Sequence, residues 1–243
     1  RKWQASGESM HSIWIGFDPR ESSAFAVARQ SVKDNFSVQL PIRGLVLDEL
    51  RAKGLYTRPT ERRLGRLYDV ISEHSMATEF AISRFLVPHL AKEGWALFMD
   101  CDMMIRSTIN RVFDGLDRKK AVYCVKHNHV PDSRLKMDRQ VQSAYPRKNW
   151  SSFMIFNCWH PKNRDLTPDA VNALPGRDLH RFCWMDDDDI GELDQSWNFL
   201  VGHTSPEIVP DNVHWTDGGP WFDGFQNVAY ADEWRVILHR WAA

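Results

Sequence analysis

The chain lacks any Cys-x-x-Cys pair. Its four cysteines, Cys101, Cys124, Cys158 and Cys183, stand apart, which argues against zinc ribbons and thioredoxin-type redox chemistry. Three of them lie in apolar runs, as buried free thiols do, and a reducing cytoplasm is expected. No apolar run reaches the length of a membrane span. An excess of charge of one sign is also missing. Lys plus Arg number 31 against 32 Asp plus Glu, a net charge of −1 with the ten His neutral. No global positive field therefore draws the chain to nucleic acid or to a membrane surface. Internal repeats are absent, and the one low-complexity tract is Asp186–Asp189.

What is present is an ordinary globular composition, 43% hydrophobic and 26% charged over 243 residues. A chain of this size buries about 70–75% of its unfolded surface. One domain over residues 11–243 is expected, with residues 1–10 read as a tag or disordered tail, since Met10 has the look of a native start. Eleven Trp are many, and clustered Trp lines cores and flat ring-binding sites. Trp150, Trp184, Trp197, Trp215 and Trp221 are read first as core. Asn157 and Asn198 are read as turn or strand-end residues.

Hydrophobic patterning gives an alternation of strands and helices. His11–Phe17 is a first strand and Glu21–Val32 a helix with Ala24, Val27, Ala28 and Ser31 on one face. A strand and short helix follow over Leu40–Leu50, then a loop over Gly54–Gly65. That loop region is locally basic: Arg51, Lys53, Arg58, Arg62, Arg63 and Arg66 oppose a single Glu61. It is either a solvated face or a docking strip for an anionic acceptor. Ser75–Leu90 has helical spacing, with Ser75 as N-cap and Glu79 in the first turn. Further strands are expected over Trp95–Ile105, Ala121–Lys126, Ser151–Asn157 and Ile208–Trp215, and a short helix over Pro168–Leu174. Such a pattern implies an α/β sheet, whose ligands bind beyond the carboxyl ends of its strands.

The sharpest feature is Asp100-Cys101-Asp102, framed by Leu97-Phe98-Met99 and Met103-Met104-Ile105. Two ionised carboxylates in an apolar run are costly unless a cation compensates them. In extended chain, residues i and i+2 share a face, so both can reach one ion. His214 precedes Thr216-Asp217-Gly218-Gly219-Pro220-Trp221 and is a candidate third ligand. Gly218 and Gly219 would let backbone N–H groups approach a phosphate.

These motifs, in this order, resemble those of GT-A-fold glycosyltransferases of the glycogenin and galactosyltransferase type, family 8-like. The resemblance runs from about Ser12 to Phe222. It implies an α/β GT-A fold, a Rossmann-like mixed sheet flanked by helices with a C-terminal metal- and acceptor-binding lobe. It also implies a nucleotide-sugar donor, UDP-linked, bound through Mn2+ (or Mg2+), a glycan or other hydroxyl acceptor, and retention of anomeric configuration. By the same resemblance, Asp18 reads the uracil imide and Gly16 and Phe17 flank the base. Arg84 reaches the donor, Asp100 lies near ribose, metal and sugar, and Asp102 and His214 ligate the metal. Gly218 and Gly219 cradle the diphosphate, and Ser151 and Ser152 form a small-residue turn against the sugar. Asp187 and Asp188 take catalytic positions, Asp187 on the sugar hydroxyls and Asp188 where the family has Gln. Arg20, after Pro19, is a phosphate or base contact.

Two departures stand out. The usual Lys after the C-terminal Gly is absent, and Asp188 replaces Gln. A metal-dependent nucleotidyltransferase or phosphoryl-transfer enzyme would use the same Asp pair, although a two-metal site needs further convergent acids. A non-catalytic glycan-binding module leaves the acids unexplained.

Overall fold

A computed structural model describes residues 11–127, 147 and 149–242, so the expected tail over residues 1–10 lies outside them. The opening forms as patterned. β1 (His11–Gly16) buries Ile13 and Ile15, a 3-10 turn spans Pro19–Glu21, and α1 (Ser22–Asp34) follows. α1 is wedged between two cores. Ala28 and Val32 pack into the main core, while Val27 joins a smaller cluster with Met104, Val213, Trp215, Trp234 and Ile237. β2 (Ile42–Leu45) and α2 (Leu47–Ala52) complete the expected strand and short helix.

The expected loop over residues 54–65 is instead the start of a small antiparallel sheet of β3 (Thr60–Arg63), β4 (Arg66–Asp69) and β5 (His74–Ser75). Leu64 and Gly65 both take positive φ, 50° and 76°, the signature of a tight two-residue hairpin turn. The hairpin base is anchored by Arg58, which is buried against Asp69 at 2.5 Å and donates to the carbonyls of Val171 and Leu174. Arg58 thus leaves the basic face and becomes core.

The helix expected over Ser75–Leu90 does not form. Ser75 ends β5, turns occupy residues 77–82, and a 3-10 turn (Ser83–Leu86) leads into the short α3 (Val87–Ala91). Tertiary contacts override the period. The Glu79 N–H is donated to Asp18 at 3.0 Å rather than to a helical carbonyl. Phe80 lies flat on Gly16, where an added Cβ would sit 2.4 Å from its ring.

The strand expected over Trp95–Ile105 is two strands in two sheets, β6 (Trp95–Met99) and β7 (Met103–Ile105), with Asp100–Asp102 between them. β8 (Val122–Cys124) follows, and a 3-10 turn over Trp150–Ser152 delays β9 to Phe153–Asn157. Short helices α4 (Pro161–Arg164), α5 (Pro168–Ala173) and α6 (Gly176–His180) precede β10 (Ile190–Glu192). β11 (Phe199–Leu200), β12 (Asn212–His214) and α7 (Ala231–Ala242) close the chain.

The central sheet has the order β10-β8-β9-β6-β1-β2 and is parallel except for β9. The second sheet, β11-β12-β7, sets His214 opposite Met103. β1 has β2 on one side and β6 on the other, so the strand order reverses there. Sheets of this kind leave a crevice at that reversal, outside the carboxyl ends of the strands. Asp18 follows β1 and Asp100 follows β6, so both border it.

Candidate functional site

Asp100 and Asp102 converge through a turn between two sheets, not through the alternation of one extended strand. The turn is pinned from both sides. The Asp100 N–H donates to the Ser152 carbonyl at 3.0 Å, and the Trp215 N–H donates to the Asp102 carbonyl at 3.0 Å. The β12–β7 register then brings His214 Nε2 to 3.4 Å from Asp102 Oδ2. Ligand atoms of Asp100, Asp102 and His214 all lie within 4.8 Å of one another.

Several observations fit a divalent cation here. Asp102 Oδ1 is buried with no hydrogen-bond partner. Burial pushes Asp100 up; Arg84 pulls it down, and Asp102 pushes it up again. Burial would lower His214, but Asp102 and Asp100 outweigh it and hold the imidazole above its ordinary value. A site in which one carboxylate resists ionising beside another is short of positive charge. Two carboxylate oxygens and an imidazole nitrogen form a donor set for Mn2+ or Mg2+. His214 is oriented by Asn198, whose Oδ1 lies 2.8 Å from His214 Nδ1, while Asn198 Nδ2 donates to Ser152 Oγ at 3.0 Å and to the Asn149 carbonyl at 3.3 Å. With Nδ1–H facing Asn198, Nε2 faces the aspartates.

Arg84 is buried between Phe80 and Phe98, pairs with Asp100 at 2.8 Å and donates to the Ser151 and Ala81 carbonyls. It supports Asp100 from behind. Ser151 and Ser152 are buried structural groups. Ser151 Oγ bonds His180 Nδ1 at 2.7 Å, and Ser152 Oγ donates to the Asn149 carbonyl at 2.8 Å. Gly16 lies under Phe80, and Phe17 meets Phe25 edge to face at 5.1 Å.

The glycine turn is shaped by its own aromatics. A Cβ on Gly219 would lie 2.1 Å from Trp221, and Gly218, at φ 131°, faces Phe225. The Gly218 N–H donates to the Trp215 carbonyl at 3.0 Å, so it is engaged within the turn.

Asp187 and Asp188 are not brought to the triad. They form an exposed 3-10 turn before β10, paired with Arg147 through Asp187 and with Lys120 through the Asp188 carbonyl. β10, β8 and β6 run parallel, so residues before β10 stand at the opposite end from Asp100, which follows β6. The charge of the run is met locally by Lys162, at 2.5 Å from Asp186 and 2.8 Å from Asp189.

Three groups at the site had no signal in the sequence. In the sequence Asn198 has the pattern of a turn or strand-end residue. Glu21 accepts from Trp221 Nε1 at 3.2 Å, tying the first loop to the glycine turn, and is pushed up to about 7 by burial, then by Asp102 and Asp18. His127 follows β8; its Nε2 is buried without a partner, and burial followed by His214 and His203 pushes it down to about 4. None belongs to a short motif, because each role is created by a long-range contact.

No known family profile matches the chain. Among solved structures, the WbbM bifunctional glycosyltransferase superposes with a TM-score of 0.62 at 13% identity, covering 97% of this chain and 50% of that one. The chain therefore spans half of WbbM. The galactosyltransferase LgtC, solved with donor and acceptor sugar analogs, superposes with a TM-score of 0.58 at 12% identity, covering 94% and 95% of the two chains. These likenesses establish the GT-A fold. Among curated proteins the chain is 44% identical over 228 residues to Protein CDI of Arabidopsis thaliana, covering 91% of this chain and 83% of that one. At that identity over nearly its whole length, the chain belongs to the family of Protein CDI.

Proposed function

We propose that the chain is a metal-dependent glycosyltransferase of the family 8 type, moving a sugar from a UDP-linked donor to an acceptor hydroxyl. One observation carries the reading: Asp100, Asp102 and His214 gather at the carboxyl end of β6, beside the crevice where sheets of this kind take nucleotides. The GT-A fold supports it, as does LgtC, whose structure holds donor and acceptor sugar analogs.

Asp100, Asp102 and His214 would hold Mn2+ or Mg2+, which when bound supplies positive charge to a departing diphosphate. The chain's own residues prepare that site. Arg84 keeps Asp100 in place, and Asn198 fixes the His214 tautomer. Glu21 and Trp221 join the first loop to the glycine turn across the site. With retention of configuration, a diphosphate oxygen takes the acceptor proton, and no side-chain base is required. Asp187 and Asp188 have no part in this scheme. The four cysteines are free, in keeping with a reducing cytoplasm. No helix among the described residues is long and apolar enough to cross a membrane.

A nucleotidyl- or phosphoryl-transfer enzyme with two metals calls for further acids at the triad. Among the described residues the triad is the one such group, and the Asp186–Asp189 run stands at the other end of the strands. The test is UDP release from a panel of UDP-sugars without acceptor, in Mn2+ and in EDTA. Release that requires the metal supports the proposal. No release, with no metal-dependent UDP binding by calorimetry, overturns it.

A further inference from the structure

The carboxylate after β1 is turned inward and fully engaged. Asp18 is buried, and its two oxygens accept four hydrogen bonds. Oδ1 takes the Arg20 backbone N–H at 2.9 Å and Arg20 Nε at 3.0 Å. Oδ2 takes Arg20 Nη2 at 2.7 Å and the Glu79 N–H at 3.0 Å. A carboxylate has about four lone-pair sites, so none is left. Burial alone would raise Asp18, but the bonds from Arg20 and Glu79 hold it below the usual carboxylate range. At neutral pH it is an anion with no further acceptor capacity.

What the pair presents outward is the guanidinium. The Arg20 side chain is 47% exposed. Its Nη2 also donates to the Ala77 carbonyl at 2.6 Å, while Nη1 has no hydrogen-bond partner among the described residues. Pro19 and the Asp18 cap hold this geometry in a single 3-10 turn. The crevice at the strand-order reversal is bordered by this loop on one side and by the metal triad on the other. A nucleotide lying in that crevice with its diphosphate at the triad would carry its nucleoside end along the loop that presents Arg20.

Charge decides what Arg20 can meet there. Its bond with Asp18, and the nearby Glu21 and Glu79, all stabilise the guanidinium. Its charge is already balanced by contact, and two more acids surround it. A phosphate would meet net negative potential at this point, whereas a neutral carbonyl oxygen would not.

We infer that Arg20, not Asp18, reads the nucleoside: Arg20 Nη1 donates to a carbonyl oxygen of the base, and Asp18 is a positioning residue with no acceptor left for an imide N–H. The inference rests on the nucleotide-sugar proposal and narrows it, since the donor is then selected by a base oxygen rather than by the imide proton.

The test is calorimetric titration, with Mn2+, of UDP, CDP and N3-methyl-UDP. N3-methylation is expected to change Kd less than twofold, because nothing accepts from that position. Arg20→Ala is expected to weaken N3-methyl-UDP tenfold or more; the methylated base cannot be captured by the Asp18 that this variant frees. Asp18→Asn should add no further loss in the Arg20→Ala background, as for two residues acting through one contact, with thermal melts reporting the fold of each variant. A tenfold loss on N3-methylation in the unaltered protein overturns the inference and leaves the nucleotide proposal standing. So does unchanged binding of N3-methyl-UDP by Arg20→Ala. If none of the three nucleotides binds with metal, the nucleotide proposal falls and the inference with it.

Discussion

Asn198 donates from Nδ2 to Ser152 Oγ and the Asn149 carbonyl, which leaves Oδ1 facing His214 Nδ1. That single amide decides which imidazole nitrogen meets the aspartates. Partners that orient a metal-binding His typically contribute about 10–100-fold in metal affinity. Asn198→Ala is therefore expected to weaken Mn2+ binding, measured in the presence of UDP, by about that factor. Asp102→Asn removes a charge whose Oδ1 has no protein partner, and is expected to abolish metal-dependent UDP binding while leaving the melt intact. At this scale the triad was legible because aspartates in an apolar run and a His beside a glycine turn carry their chemistry in their residue types. Asn198, Glu21 and His127 were not. An amide, an acid and an imidazole look ordinary until a distant segment is set against them. Asp187 and Asp188 err in the opposite direction. Their residue types fit, but β10 enters the sheet from the other end.

At the scale of elements, alternation and length were enough for β1, α1, β2, α2 and α5, where each apolar face meets the core directly. They failed over Ser75–Leu90, where helical spacing is present but the backbone is drawn to Asp18 and Phe80 to Gly16. The failure lies at the site border, where local propensity yields to the needs of the first loop. A methyl on Gly16 would stand 2.4 Å from the Phe80 ring. Gly16→Ala is expected to destabilise by about 1–3 kcal/mol, the usual range for overpacking, in urea melts. Phe80→Leu in the same chain should restore part of it. The hairpin β3–β4 was hidden for a different reason: its anchor, Arg58, reads as one more surface cation. Arg58→Ala would leave Asp69 buried without its partner, expected to cost about 3–5 kcal/mol. Burial would raise Asp69, but its bonds from Arg58 and Ser72 lower it. A depressed acid contributes stability above its unfolded value, lost as pH falls through the lower folded value. The difference in urea stability between the unaltered chain and Arg58→Ala should accordingly be full at pH 7 and shrink as the solution approaches pH 3.

The whole molecule carries opposed titrations, and their order sets how stability follows pH. Asp100 and Glu21 are pushed up to about 7, and His214 is held above its ordinary 6.5. Groups raised on folding stabilise when protonated, and that contribution is lost as pH rises through their folded values. His127 and His180 go the other way, pushed down to about 4 and about 3. Below the ordinary imidazole value of about 6.5, the unfolded chain takes protons that these two refuse, so their own contribution to stability falls on further acidification. In EDTA the melting temperature is therefore expected to rise as pH is lowered from 8 toward 6.5 and to level off below that, where Asp100 and Glu21 hold protons the unfolded chain lacks while His127 and His180 refuse protons it takes. A bound cation needs Asp100 and Asp102 ionised and His214 neutral, so protons compete with it. With excess Mn2+ and UDP, melting temperature should instead climb from pH 6.5 to 8, reversing the slope over the same interval. Ligand at 100 times its Kd adds about 2.7 kcal/mol, which for a chain of this length is a shift of about 5–10 °C. Scanning fluorimetry across pH 5 to 8, with and without Mn2+ and UDP, separates the cases. Parallel curves in the two conditions would mean that the triad holds no cation, and a reversal confined to the interval above pH 6.5 assigns the linkage to these carboxylates and His214.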